Sequence, residues 1–158
     1  AAASQPAGQP PQPGSPATPI PGHGTGENTE DVGELNPFGQ AIMKAMAAVR
    51  NNNAPEAEAA YNEALKIRPQ DPAALAGRAE ARVVQQNRDG AVSDIDQAMQ
   101  LHPDDPQVLW TYGLIHIMMR TKPAEGIKAW EKLQQTEPQY AEQLKIKERL
   151  EQIRKFNK

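Results

Sequence analysis

The stretch ALKIRPQDP at residues 64–72 returns as AMQLHPDDP at residues 98–106, shifted by 34 residues. A period of this length accommodates two helices and a turn, and chains built from such units usually bind other proteins and carry out no chemistry. Each period offers two amphipathic segments of about 13 residues, separated by turn-forming and helix-breaking compositions at 51–53, 87–90 and 121–123. Pro69 and Pro103 end a helix, because proline lacks an amide donor and disfavours helix in the residue before it. Asp71-Pro72 and Asp105-Pro106 then place an acidic cap before a proline in the first turn, which starts the next helix, and Pro55 acts in the same way after Asn53-Ala54.

The pattern resembles the tetratricopeptide repeat, a helical-hairpin unit with small residues at fixed places and a proline near its end. A first unit over 38–71 puts Ala45, Ala57, Tyr61, Ala64 and Pro69 on the positions that define the family. A second over 72–105 puts Leu75, Ala79, Ala91, Ala98 and Pro103 there, with Ile95 at the aromatic position. The third, over 106–138, shows Leu109, Gly113, Gly126, Trp130, Leu133 and Pro138 once one residue is inserted around Lys122-Pro123. The expected fold class is all-α: a solenoid of three such hairpins over 37–138, followed by a capping helix over 139–158. That last segment carries six Lys or Arg against three Glu, and Tyr140, Leu144, Ile146, Leu150, Ile153 and Phe156 are its apolar members. A polar closing helix suits a stack of hairpins, whose last apolar face otherwise stays exposed.

Residues 1–36 differ in kind. The first 22 hold seven of the chain's fifteen prolines, with Gly, Ser, Gln and Ala making up most of the rest. Such a stretch has too little apolar surface to offset the entropy of ordering, so a disordered spacer is expected, or a segment that orders along a partner. Glu27, Glu30, Asp31 and Glu34 make it acidic, with no Lys or Arg. The Ala-Ala-Ala-Ser start ahead of a Pro/Gly/Gln-rich stretch looks like the product of signal-peptide removal, so an extracytoplasmic location, periplasmic or at the cell surface, is expected.

Composition narrows the function classes. A net charge of −3 disfavours nucleic acid, which needs a basic stripe, and no apolar run approaches membrane-spanning length. With no cysteine, the chain cannot be lipidated on a thiol and cannot attach haem through a Cys-x-x-Cys-His motif. His23, His102 and His116 have no metal-binding spacing, and Asp94 and Asp96, two apart on a helix, do not face each other. The glycine cluster at 21–26 does not lie between a strand and a helix, so it is no phosphate loop. No catalytic residue, metal or cofactor is expected, and the chain is read as a non-enzyme.

The family resemblance implies that the first helix of each unit lines a concave groove. Carried over residue by residue, the groove is expected from Ile42, Met46, Val49 and Arg50, then Ala76, Glu80, Val83 and Val84, then Trp110, Leu114, Ile117 and Met118. Family members that grip a C-terminal carboxylate use Lys, Arg and Asn at such places. Here Arg50 alone has that chemistry, so the face suits an amphipathic helix or an apolar peptide. Trp110, Leu114 and Ile117 are equally readable as core, and the face could be occupied by the chain's own tail or closing helix. Arg78, Arg82, Arg88 and His116 stand where the family is usually apolar or aromatic. Either the arginines bury their stems and pair with acids such as Asp94, Asp96 or Glu80, or the local packing is rephased; the functional alternative is a basic patch for an acidic partner, the acidic tail included.

The tail and the Ala-Trp-Glu-Lys-Leu segment at 129–133 are similar to periplasmic repeat domains of c-type cytochrome biogenesis. That likeness implies a c-type cytochrome, or its apo form, as a client. The expected role is a protein-binding module or chaperone for such a protein ligand. The alternative is a permanent subunit of a larger envelope or extracellular assembly, with the tail laid along its neighbours.

Overall fold

The computed structural model describes residues 36–156. The readings on the proline-rich tail therefore lie outside the described residues. Within them the chain forms eight α-helices and no strand: α1 (Pro37–Arg50), α2 (Ala54–Ile67), α3 (Pro72–Val84), α4 (Arg88–Leu101), α5 (Pro106–Met118), α6 (Pro123–Thr136), α7 (Pro138–Gln143) and α8 (Ile146–Phe156). Helices α1/α2, α3/α4 and α5/α6 pair as hairpins, α2 packs on α3 and α4 on α5, and α3 also lies against α5. The all-α solenoid with a helical C-terminal cap is thus the observed architecture.

Local chemistry sets the helix starts. The carboxylate of Asp71 accepts from the Ala74 amide at 2.9 Å and that of Asp105 from the Val108 amide at 3.0 Å. Asn36, Asn53 and Asn87 do the same for Gly39, Glu56 and Gly90. Each cap satisfies an amide that has no partner inside the helix. The hairpin turns share a feature that residue composition does not show: Asn52, Gln86 and Arg120, spaced by the repeat, adopt φ of 55°, 62° and 53°. None is glycine, so packing of the two helices holds each in a left-handed conformation costing roughly 1–2 kcal/mol. Asn87-Arg88-Asp89-Gly90, read as a breaker, is a cap followed by the first turn of α4, because the Asn87 side chain closes that turn.

Small residues build the stack. Ala45, Ala57, Ala60, Ala64, Ala74, Ala79, Ala91 and Ala98 are all wholly buried, which lets helix backbones approach closely. The third hairpin uses bulk instead, with Val108, Leu109, Ile115 and Leu133 filling its core. Gly113 is required there: a Cβ on it would stand 2.2 Å from the buried Trp130 indole.

The closing segment is helical, as expected, but in two pieces. Lys145 (φ 53°) separates α7 from α8, and the carbonyl of Leu144 accepts from Arg149 Nε at 3.0 Å. Leu144 and Ile146, two residues apart, would point to opposite faces of a straight helix. With the break, Leu144 packs on the core while Ile146 and Leu150 are buried. Phe156, read as an apolar member of the cap, is instead 89% exposed, because α8 ends beyond the surface it covers.

Candidate protein-binding face

The twelve residues expected to line the groove fall in four rows, one residue per hairpin, related by the repeat. The last row, Arg50, Val84 and Met118, is open to solvent, with Val84 71% and Met118 65% exposed. In the row before it Val49 is exposed, while Val83 and Ile117 are half-buried against the core. The row of Met46, Glu80 and Leu114 is exposed at its first member and half-buried at the other two. The deepest row is Ile42, Ala76 and Trp110. Ala76, expected at the groove, is instead wholly buried: its small side chain lies within the packing of the hairpins and leaves nothing for a ligand to touch.

Trp110 is half-buried and already engaged. Its ring stacks on Trp130 with centroids 5.2 Å apart and planes 10° off parallel, its carbonyl accepts from Trp130 Nε1 at 3.0 Å, and the Arg149 guanidinium of α8 sits 5.3 Å from its ring centroid. The closing helix thus covers part of the third hairpin's face.

Of the expected residues, the structure gathers Val49, Glu80 and Val84 around one cleft of ≈ 170 Å³. Its remaining walls are Asn52, Ala54, Ala57 and Ala81, which the reading from first helices alone did not include. Three of these come from the α1–α2 turn and from α2, and only the folded hairpin brings them beside α3. Ala57 stood on a position that defines the family, but that pattern marks packing and does not mark a cleft wall.

Glu80 is half-buried at this cleft, and Thr111 Oγ1 of α5 donates to its Oε1 at 2.6 Å. Burial pushes its pKa above the usual carboxylate value, only partly countered by the Thr111 hydrogen bond. A carboxyl with a raised folded pKa favours the fold fully below the unfolded value, and that contribution is lost as pH rises through the folded value. Glu80→Gln keeps an acceptor for Thr111 without the charge. The variant is therefore expected to match the parent in stability near pH 4 and to exceed it at pH 7, by urea unfolding at both pH values.

The half-buried arginines resolve into paired residues. Arg78 makes a bidentate contact with Asp94 at 2.7 and 2.8 Å and donates to Asn62 Oδ1 at 2.8 Å. Arg82 reaches Asp94 at 2.8 Å and Glu58 at 2.7 Å, so Asp94 links α3 to α4, and Arg82 links α3 to α2. The Arg82 guanidinium holds the Glu58 carboxyl below its usual pKa. Arg88 stays exposed and donates to the Met119 carbonyl. Neither Asp96 nor Glu80 takes an arginine: Asp96 bonds the wholly buried His116 at 2.9 Å and Lys122 at 2.8 Å. Burial lowers the His116 pKa, against the pull of Asp96. Together these polar groups tie hairpin to hairpin. Among the described residues no group of three His, Cys, Asp or Glu could hold a metal ion, and no helix is long and apolar enough to cross a membrane.

The family model of the tetratricopeptide repeat matches residues 42–106. In fold, the chain is similar to the TPR domain of Sgt2 from Aspergillus fumigatus, with a TM-score of 0.63 and 20% identity, covering 77% of this chain and 83% of that one. It is also similar to the Yersinia enterocolitica type III secretion translocator chaperone SycD, with a TM-score of 0.67 and 13% identity over 81% and 99% of the two chains. A third likeness is to the second TPR domain of human RPAP3 in complex with the HSP70 peptide SGPTIEEVD, with a TM-score of 0.56 and 22% identity over 71% and 98%. No curated protein matches the chain. Residues 42–106 thus match the tetratricopeptide repeat, and the hairpin solenoid of the described residues is similar in fold to these TPR domains.

Proposed function

We propose that the chain is a non-catalytic module that binds a peptide segment of another protein along the face of α1, α3 and α5. The observation that carries this is the cleft flanked by Val49 and Val84, two apolar side chains left open to solvent on adjacent hairpins. The human RPAP3 domain holds its peptide in the same fold, which supports a peptide as the ligand here. Arg50 is the one basic side chain among the residues carried over to this face, so a ligand held by its C-terminal carboxylate is disfavoured and an internal apolar segment favoured. An exported setting and a c-type cytochrome client belong to the same proposal. The 129–133 segment behind the client reading has Ala129, Trp130 and Leu133 buried, so its likeness reflects packing and the client must be tested directly.

The test uses a peptide selected on the full chain from a random-sequence library. Replacing Val49 and Val84 together by serine is expected to weaken its binding at least tenfold by calorimetry, with helical content unchanged, since exposed positions contribute within about 0.5 kcal/mol to stability. Unchanged affinity, or failure of any peptide to be selected, would overturn the groove and favour a fixed structural subunit. Purification from the native source, with a haem spectrum of the eluate, decides the cytochrome client.

A further inference from the structure

Five acidic side chains of the described fold are buried or half-buried without serving as a helix cap. Four of them have a cation: Asp94 has Arg78 and Arg82, Glu58 has Arg82, Asp96 has Lys122 and Glu131 has Arg154. Glu80 is the exception, with the neutral hydroxyl of Thr111 as its hydrogen-bond partner. Burying a carboxylate beside apolar groups is costly unless a cation meets it, so a fold that pairs its other acids leaves this one incomplete.

The place of the exception is informative. Glu80 lies in the wall of the ≈ 170 Å³ cleft, and no cationic residue lines that cleft. Thr111 engages Oε1, and no buried side-chain oxygen among the described residues lacks a hydrogen bond, so Oε2 is reached by solvent. The volume is close to that of a cavity that holds one benzene, on the order of 150 Å³, which is room for one long side chain and too little for a helix. Val49 and Val84 supply apolar walls for an aliphatic stem, and Glu80 supplies a carboxylate for its charged end.

We infer that this cleft is a specificity pocket for a single basic side chain, a lysine or arginine presented by the bound protein segment, with its stem against Val49 and Val84 and its cationic head on Glu80. The inference rests on the groove reading above and adds the chemistry of the anchor. It reverses the polarity of recognition in which the repeat supplies the cations and the peptide the carboxylates.

Peptides selected from a random library on the full chain are the probe, each measured beside a version in which a shared basic residue is replaced by norleucine, which keeps the stem and drops the charge. The expected result is a Lys or Arg at one fixed position, a loss of at least tenfold on norleucine replacement with the parent chain, and a loss below twofold with Glu80→Gln. Glu80→Gln retains the Thr111 contact, and its folding is checked by the unfolding curves described above. Equal norleucine losses on both chains, or no shared basic residue among peptides that the Val49→Ser/Val84→Ser variant fails to bind, would overturn the inference and leave the groove standing. Absence of any cleft-binding peptide would overturn both.

Discussion

Replacing Asp94 by alanine is expected to cost about 3–5 kcal/mol, the range for removing one member of a buried ion pair and leaving the other charge uncompensated. Asp94 is 3% exposed and receives both Nε and Nη2 of Arg78 and Nη1 of Arg82. Arg82 would keep Glu58, but Arg78 would be left with the neutral Asn62 as its hydrogen-bond partner. Against a total stability of about 5–15 kcal/mol this is a large fraction, because α3 and α4 lose the carboxylate that both arginines of α3 share. Asp94→Asn keeps an acceptor and should lose less. Urea unfolding of the two variants decides it, and a loss under about 1 kcal/mol for alanine would show that the arginines find water without strain.

The second large effect is expected at Trp130, where truncation to alanine should cost about 3–5 kcal/mol. The indole is 3% exposed, covers Gly113, stacks on Trp110 and donates its N–H to the Trp110 carbonyl. Removing it opens a cavity and releases a hydrogen bond together. Trp110→Ala should cost less, since that ring is half-buried and its stacking adds about 0.5–1.5 kcal/mol beyond the area it buries. These are the chain's two tryptophans, so the exciton signal of a stacked pair in circular dichroism should vanish in either variant. Equal losses for the two would mean that Trp110 is as much core as Trp130. A loss of peptide binding in Trp110→Ala at full stability would return that ring to the binding face.

The contrast between these two tryptophans shows how far the residues could be read before folding. Trp130 and Gly113 both stand on positions that the repeat resemblance marks, and the structure packs one against the other. Trp110 lies on the helix face that the resemblance assigns to ligand, and nothing in the spacing says that α8 bends at Lys145 and lays Arg149 over it. A bend held by a left-handed lysine is a tertiary outcome, because it lets Leu144 and Ile146 both turn inward. Ala76 shows the same limit from the other side. Its register places it among contact positions, while its size makes it packing, and only the buried surface decides between them.

The sequence by itself determined the six hairpin helices, the caps and prolines that bound most of them, the hairpin repeat and the absence of a thiol. Caps such as Asp71, prolines such as Pro72 and alanines at fixed spacing act over a few residues or one repeat, so their effect is written in order along the chain. The tertiary structure decided which acid each arginine takes, that Glu80 takes none, and that a cleft opens where Val49, Ala57 and Val84 meet. Those outcomes depend on side chains that are 8 to 35 residues apart, and a period of 34 says that the units are near one another without saying which atoms touch.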